Sequence, residues 1–139
     1  MRRAKGRELK TIKFRFENLE IWQRSVEVAG KLFRLADELE KRKLYRFADQ
    51  LRGAGLSMPN NIAEGSGSTS NKEFIQFLNI ARRSTFENAS MIIIFAKDKL
   101  IHEEKKDEII QDLDELCRMI TAFSRRLNGS RNIGSEREK

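Results

Sequence analysis

The residues of this chain that could do enzymatic chemistry are few, and the most obvious of them lacks partners. His102 is the single histidine, and it lies beside Glu103 and Glu104. A zinc site needs three or four ligands at suitable spacing, and neither a second histidine nor a nearby cysteine completes a set here. We therefore predict no metal site and no catalytic residue at this position. A solvated turn residue is the preferred interpretation of His102.

A second candidate is the glycine-rich segment Gly65-Ser66-Gly67, whose backbone N–H groups could cradle a phosphate. It follows an apolar helical pattern instead of a strand, and it lacks the Gly-Lys-Ser/Thr ending of a phosphate-binding loop. Thr69 and Lys72 have the spacing of a Thr-x-x-Lys pair but no partner motif. We expect a helix end and a turn at this segment, with no bound cofactor. The chain is predicted not to be an enzyme.

The remaining chemistry is electrostatic. The net charge is +7, and it is concentrated in two arms: residues 1–16 have seven Lys/Arg and one Glu, and residues 125–139 have five Lys/Arg and two Glu. The intervening residues 17–124 have a net charge of −2. Basic arms of this kind bind the phosphates of nucleic acids, although they also serve as solubilising tails. The candidate nucleic-acid-binding residues are Arg2, Arg3, Lys5, Arg7, Lys10, Lys13, Arg15, Arg125, Arg126 and Arg131.

Aromatic residues are interleaved with the cations of the first arm, in "KTIKFRFENLEIW". Phe14, Phe16 or Trp22 could stack on nucleic-acid bases while the neighbouring Lys and Arg side chains contact phosphates. In the alternative, Phe14 and Phe16 pack on the body of the protein and Trp22 belongs to its core. We prefer the core position for Trp22 and leave both functions of the arm's cations open.

The segment between the two arms must position these groups, and its apolar periodicity is helical. Apolar residues recur at spacings of three and four over four segments, and period-2 alternation typical of strands does not occur. Ser70 followed by Glu73 is a capping box that marks the start of the third segment. Pro59 falls inside the second segment, whose apolar spacing continues past it. The four helices are predicted at about 18–40, 44–65, 70–99 and 103–127.

We therefore predict an all-α fold, an up-down-up-down antiparallel four-helix bundle with helix 2 kinked at Pro59. The basic N-terminal arm is assigned to 1–16, the bundle to 17–127 and a flexible C-terminal tail to 128–139. Gly53 and Gly55 are expected to let another helix approach helix 2 closely. The predicted apolar stripe of helix 1 consists of Leu19, Trp22, Val26, Ala29, Phe33 and Ala36, and Leu32, Leu35 and Leu39 widen it.

This topology places both termini at the same end of the bundle as the connection at 65–69, so the basic arms and this turn should be neighbours. The run "MIIIFA", at 91–96, is apolar on every face, which predicts a homo-oligomer because one bundle cannot cover it. Glu64 and Glu87 lie beside apolar stripes. For them we prefer an ion-pair network, within the chain or between subunits, over a binding site. The available partners are Arg24, Arg52, Arg82 and Arg83.

Several classes of protein are excluded by composition. No apolar run approaches the roughly 18 residues that a membrane span needs, so no membrane association is expected. The N-terminal segment lacks the apolar region of a secretory signal. Cys117 is the single cysteine, so no intramolecular disulfide can form. These features predict a cytoplasmic protein.

Two motifs have a recognisable family context. The pattern S-x-P-x-N-I-x-E-G, at 57–65, is followed by K-E-F-x-x-F-L-x-I-A, at 72–81. Together with "FENLEIWQRSVEVAGKLF", they resemble the four-helix-bundle proteins encoded in 23S rRNA intervening sequences, over about residues 16–125. Arg83 departs from the family, which often has a smaller residue there. The matching motif positions include Ser57, Pro59, Asn61, Glu64, Gly65, Lys72, Phe74, Ala81, Ser84 and Glu87.

The resemblance implies a small cytoplasmic bundle that forms a ring-shaped homopentamer, has no established catalytic residues and associates with RNA. A related group, the accessory variability determinant proteins of diversity-generating retroelements, comprises basic pentamers that bind nucleic acid and a reverse transcriptase. The expected function is thus RNA binding through the basic arms. One alternative is a retroelement accessory protein that binds a reverse transcriptase together with its RNA. Another is a structural ring with no nucleic-acid role.

Overall fold

The computed structural model describes the backbone of residues 11–138 and the side chains of residues 11–130. This part of the chain is all-α and contains no strand, which confirms the predicted fold class. A short 3-10 helix, Arg15–Asn18, precedes the bundle. The four α-helices are α1 (Glu20–Lys41), α2 (Tyr45–Ser66), α3 (Asn71–Lys97) and α4 (Glu103–Glu138).

Each helix packs on its neighbours in the chain, and α4 closes the bundle against α1. The diagonal pairs α1–α3 and α2–α4 do not pack on each other within the described range. This arrangement, with short connections, is that of an up-down-up-down bundle. At one end of the bundle, the chain reverses its direction abruptly after α1 and again after α3. Lys43 and Lys99 adopt left-handed φ values of 65° and 61°, and Leu44 N and Leu100 N donate to carbonyls five residues back, at 3.0 and 2.8 Å.

The core is an aliphatic column contributed by all four helices. Its α1 part includes Ala29, Leu32, Ala36 and Leu39 of the predicted stripe. It differs from the prediction in that Ile21 and Val28 are also buried, whereas Val26 is 40% exposed. The α1 helix packs against both α2 and α4. Its buried face therefore includes residues on both sides of the predicted stripe, and Val26 lies outside it.

Two further expectations concern helix continuity. The α2 helix runs without a break through Pro59, which is buried, and the kink at this residue stays a prediction. The predicted end of α4 at 127 is wrong, because the helix continues to Glu138. The apolar stripe stops at Leu127, but no proline follows, and an existing helix extends one hydrogen bond at a time where nothing terminates it. The assignment of 128–139 as a separate tail stays a prediction.

Glycines set the distance between helices at two places. A Cβ atom on Gly55 would lie 3.4 Å from Leu32 Cδ1 of α1, in line with the close approach expected there. Nothing lies within 4 Å of a Cβ on Gly53, so no helix in the described part of the same chain approaches that residue closely. The tightest position is Gly65, where a Cβ would lie 2.7 Å from Phe74 Cδ1 and 2.8 Å from Phe77 Cβ of α3. Only glycine fits this crossing without a shift of one helix.

None of the helices in the described range combines the length and the apolar content that a membrane span requires.

Candidate nucleic-acid interface

One end of the bundle brings together segments that are far apart in the sequence. The 3-10 helix packs against both α1 and α2, and Asn71 Nδ2, at the start of α3, donates to the carbonyl of Leu127 in α4 at 3.3 Å. The N-terminal arm, the α2–α3 turn and the α4 segment near 127 therefore meet, as the predicted topology requires. We call this surface, formed by residues 13–16, 64–72 and 123–127, the basic end.

The last residues of the N-terminal arm are fixed to the bundle by local hydrogen bonds. The backbone N–H of Phe14 donates to Glu17 Oε2 at 2.9 Å. Gln23 Nε2 of α1 donates to the carbonyl of Glu17 at 2.8 Å. Because the second bond ties the arm to α1, the rings at 14 and 16 are held in a defined position at the basic end.

The three aromatic residues of the arm have different environments. Trp22 packs against the core and is half-buried, as the preferred interpretation expected. Phe16 packs on Trp22, with 5.0 Å between the ring centroids. Phe14 stacks on Phe16 at 5.7 Å with an interplanar angle of 28°, yet it is 65% exposed. The arm therefore packs on the bundle through Phe16 and leaves the ring of Phe14 open to solvent.

The cations of the basic end remain available. Lys13, Arg15, Arg125 and Arg126 are exposed, and none of them forms an ion pair with another described residue. The Arg126 guanidinium carbon lies 5.4 Å from the Phe123 ring centroid, a cation–π distance. The other candidates lie outside the part of the chain that the structure describes: Arg2, Arg3, Lys5, Arg7 and Lys10, and the side chain of Arg131.

A surface cleft of about 520 Å³ opens beside the exposed ring of Phe14. One wall is aromatic, and the other is the end of α2, where the carboxylate of Glu64 is exposed. Within the described residues Glu64 has no hydrogen-bond or ion-pair partner, so its acceptor oxygens are free. The cleft is lined by Phe14, Arg15, Phe16, Ala63, Glu64, Ser66 and Gly67.

Cations in the middle of the bundle, between α1 and α4, are paired with acids. Along the α1–α4 seam, Lys31 Nζ lies 2.6 Å from Asp112 Oδ2 and 2.9 Å from Glu108 Oε2. Arg24 contacts Asp112 and Glu115, each at 2.9 Å. The hydrogen bonds to Asp112 and then Glu108 raise the pKa of Lys31 above its usual value. The hydrogen bond from Lys31 is also the main cause that lowers the pKa of Glu108.

Sequence reasoning missed this seam, although its signal was present. Arg24 and Lys31 are seven residues apart, so they lie on one side of α1, and Glu108, Asp112 and Glu115 repeat at spacings of four and three on α4. The consequence for the site is that the cations in the middle of α1 are occupied by acids of the same chain.

The predicted ion-pair network of Glu64 and Glu87 does not form among the described residues of one chain. Both carboxylates are exposed and unpaired among the described side chains, and three of the four candidate arginines, Arg24, Arg52 and Arg82, have other partners. Arg52 binds acids of α1, and Arg82 donates to Thr121 Oγ1 at 3.2 Å. A network between subunits stays a prediction.

The motif residues of α2 and α3 instead form a polar seam between these two helices. The hydroxyl oxygens of Ser57 and Ser84 lie 2.8 Å apart, and Asn61 Nδ2 donates to Ser57 Oγ at 3.0 Å. Asn88 Nδ2 donates to the carbonyl of Ala54 at 2.9 Å. Asn88 is fully buried, and its Oδ1 has no partner in the described part of the chain. Hydrogen bonds of this kind fix the register of two packed helices.

The other motif residues are explained by packing and capping. Ala81 and Pro59 are buried, and Phe74 is half-buried, with its ring edge against Phe123 at a centroid distance of 5.6 Å. Ser70 Oγ accepts from the N–H of Glu73 at 3.1 Å, which confirms the predicted cap. Lys72 is exposed at the basic end.

The candidates for metal or nucleophilic chemistry do not converge. His102 is exposed at the opposite end of the bundle, before the start of α4, and Cys117 is half-buried on α4 itself. Within the described range, no cluster of three His, Cys, Asp or Glu residues could hold a metal ion.

Comparisons with known proteins identify the fold and the family. A crystal structure of a protein of unknown function from the S23 ribosomal protein family of Bacteroides thetaiotaomicron VPI-5482 superposes with a TM-score of 0.72. The two chains are 24% identical, and the match covers 75% of this chain and 97% of that one. No curated protein gives a significant match. A family model described as 23S rRNA-intervening sequence protein matches residues 17–122. The chain therefore belongs to the 23S rRNA-intervening sequence protein family.

Proposed function

We propose that this protein is a non-enzymatic homo-oligomer that binds RNA through its basic end. The observation that supports this proposal most strongly is the contrast between two sets of cations. Those of the α1–α4 seam are paired with acids, whereas Lys13, Arg15, Arg125 and Arg126 are exposed and unpaired among the described side chains. RNA phosphates are the natural partners of free cations grouped in this way. The name of the family, which refers to 23S rRNA, points to the same class of ligand.

Self-association is supported by apolar side chains on the outer surface of α3. Ile80, Phe86, Ile93 and Ile94 are between 38% and 59% exposed, and the last two belong to the "MIIIFA" run. Exposed apolar residues concentrated on one helix are typical of protein–protein interfaces. The family resemblance implies a pentamer. A cyclic oligomer would bring the basic ends of its subunits to one side of the ring, because both arms leave the same end of each bundle.

The proposal excludes catalytic turnover for a geometric reason. Nucleophilic chemistry would first use Cys117 as the nucleophile and His102 as its base. At 1.5 Å per helical residue, the start of α4 and Cys117 are about 20 Å apart along the axis. The two groups therefore cannot act as a nucleophile and its base within one chain.

Two variants with equal charge changes test RNA binding. In the first, Lys13, Arg15, Arg125 and Arg126 are all replaced by Gln. In the matched control, four exposed cations at the opposite end are replaced by Gln, namely Lys43, Arg46, Lys97 and Lys99. Fluorescence anisotropy with a labelled structured RNA should show a large loss of affinity for the first variant and a small loss for the control.

Equal losses for the two variants would contradict the proposal, because binding would then depend on net charge alone. If the unmodified protein does not bind RNA, the plainer function of a structural ring is favoured. Light scattering tests the assembly independently: a mass near the 16.2 kDa of one chain at micromolar concentration would overturn the homo-oligomer.

A further inference from the structure

The cleft at the basic end indicates which form of RNA the protein binds. Phe14 presents a 65% exposed ring whose inner face is supported by Phe16, and Phe16 in turn packs on Trp22 of the core. Because the Phe14 ring is already held by Phe16, it loses little conformational entropy when a flat ligand stacks on it.

The charges around Phe14 fit a nucleotide. Lys13 and Arg15 flank Phe14 in the sequence and are exposed, and Arg15 also lines the cleft, so these cations can neutralise phosphates next to a stacked base. The opposite wall of the cleft holds the free carboxylate of Glu64. A carboxylate repels phosphates but accepts hydrogen bonds from base amino groups. The cations near Phe14 therefore suit the phosphates of a nucleotide, whereas the carboxylate of Glu64 suits its base.

We infer, on the basis of the proposed function, that the basic end binds unpaired nucleotides of RNA, with a base stacked on Phe14 and its amino group directed to Glu64. A base in the interior of a duplex cannot stack on Phe14, because both of its faces are covered by neighbouring bases. Aromatic stacking of single-stranded bases is a common mode of RNA recognition. The inference extends the proposed function from RNA in general to single-stranded segments.

The test compares a single-stranded RNA oligonucleotide with a duplex of the same length, by fluorescence anisotropy with the full-length protein. The unmodified protein should bind the single strand more tightly than the duplex. Phe14→Ala should weaken binding of the single strand roughly 10- to 100-fold, which is the usual effect of removing one stacking ring. Binding of the duplex should change less than twofold.

Two control variants make this result specific. Ile12→Ala removes an 80% exposed aliphatic side chain from the same arm and should leave both affinities unchanged. Phe14→Tyr keeps the ring and should retain single-strand binding. Oligo(C), whose bases have amino groups, should bind more tightly than oligo(U), whose bases have none, and Glu64→Gln should reduce this preference.

Two outcomes overturn the inference in distinguishable ways. If RNA binds but Phe14→Ala and Ile12→Ala have the same effect, or the duplex binds as well as the single strand, the stacking site is wrong and the proposed function survives. If the unmodified protein binds neither RNA, the proposed function fails, and the inference fails with it.

Discussion

Gly65 offers the most direct test of how α2 packs on α3. A Cβ atom at this position would lie 2.8 Å from Phe77 Cβ and 2.7 Å from Phe74 Cδ1. Phe77 Cβ is attached directly to the α3 backbone, so it cannot turn away. The Phe74 ring is confined by its edgewise contact with Phe123. The substitution Gly65→Ala should therefore force α2 and α3 apart by several tenths of an ångström.

The expected magnitude is the difference between two opposing effects. Overpacking of a well-packed core typically costs about 1–3 kcal/mol, and the immobile neighbours place this site in the upper half of that range. Replacing a helical glycine by alanine gains up to about 1 kcal/mol from helix propensity. We expect Gly65→Ala to lower the free energy of unfolding by about 1–2 kcal/mol.

Gly53 provides a matched control on the same helix. It is exposed, and nothing lies within 4 Å of a Cβ placed there. Gly53→Ala should therefore raise the free energy of unfolding by about 0.5–1 kcal/mol through propensity alone. Urea denaturation followed by circular dichroism, at one protein concentration, measures both changes. Equal stabilities of the two variants would refute the close packing of Gly65 against Phe77.

Four further predictions concern other parts of the bundle. Leu78→Ala removes a fully buried side chain and should cost about 2–5 kcal/mol in urea denaturation, and a loss well below 1 kcal/mol would contradict its core position. Lys99 has a left-handed φ of 61°, which glycine adopts without strain, so Lys99→Gly should raise the free energy of unfolding by about 1 kcal/mol. A lower melting temperature of this variant would contradict the prediction. Lys31→Gln should destabilise the protein chiefly between about pH 4.5 and 10.5. The reason is that the lowered pKa of Glu108 gives stability that is lost as the pH falls through its folded value, and the raised pKa of Lys31 gives stability that is lost as the pH rises through its own. A pH-independent effect in melting experiments would contradict this pairing. Glu87→Lys should reduce the mass measured by light scattering if the unpaired Glu87 contacts another subunit, and an unchanged mass would exclude that contact.

The fold was accessible from the sequence because its signals are local. Apolar spacing located all four helices, and the Ser70–Glu73 cap marked the start of α3 within one residue. The errors arise where the outcome depends on neighbours. Val26 belongs to a regular apolar row but lies at the rim of the buried face, and this becomes visible only when α2 and α4 are both in place. The end of α4 was missed because a helix without an apolar stripe gives no periodic signal.

The candidate site was predicted less completely. The sequence grouped Phe14, Phe16 and Trp22 as aromatic residues of one arm, but it could not show that Phe14 alone remains exposed. Likewise, it could not separate free cations from paired ones, because Arg24 and Lys31 find their acids about ninety and eighty residues away, on α4. Gly53 and Gly55 looked equivalent, and only the position of α1 distinguishes them. The sequence therefore could not show which side chains of different helices contact each other.

The central claim is that RNA binds to the free cations of the basic end, and the salt dependence of binding tests it most directly. The logarithm of the binding constant for a single-stranded RNA should fall linearly with the logarithm of the salt concentration between about 50 and 200 mM, with a slope of roughly −0.7 for each phosphate contact. Replacing Lys13, Arg15, Arg125 and Arg126 by Gln should make this slope shallower by up to about 3, whereas the four-Gln control at the opposite end should leave it unchanged. A slope that is the same in all three proteins would contradict the account.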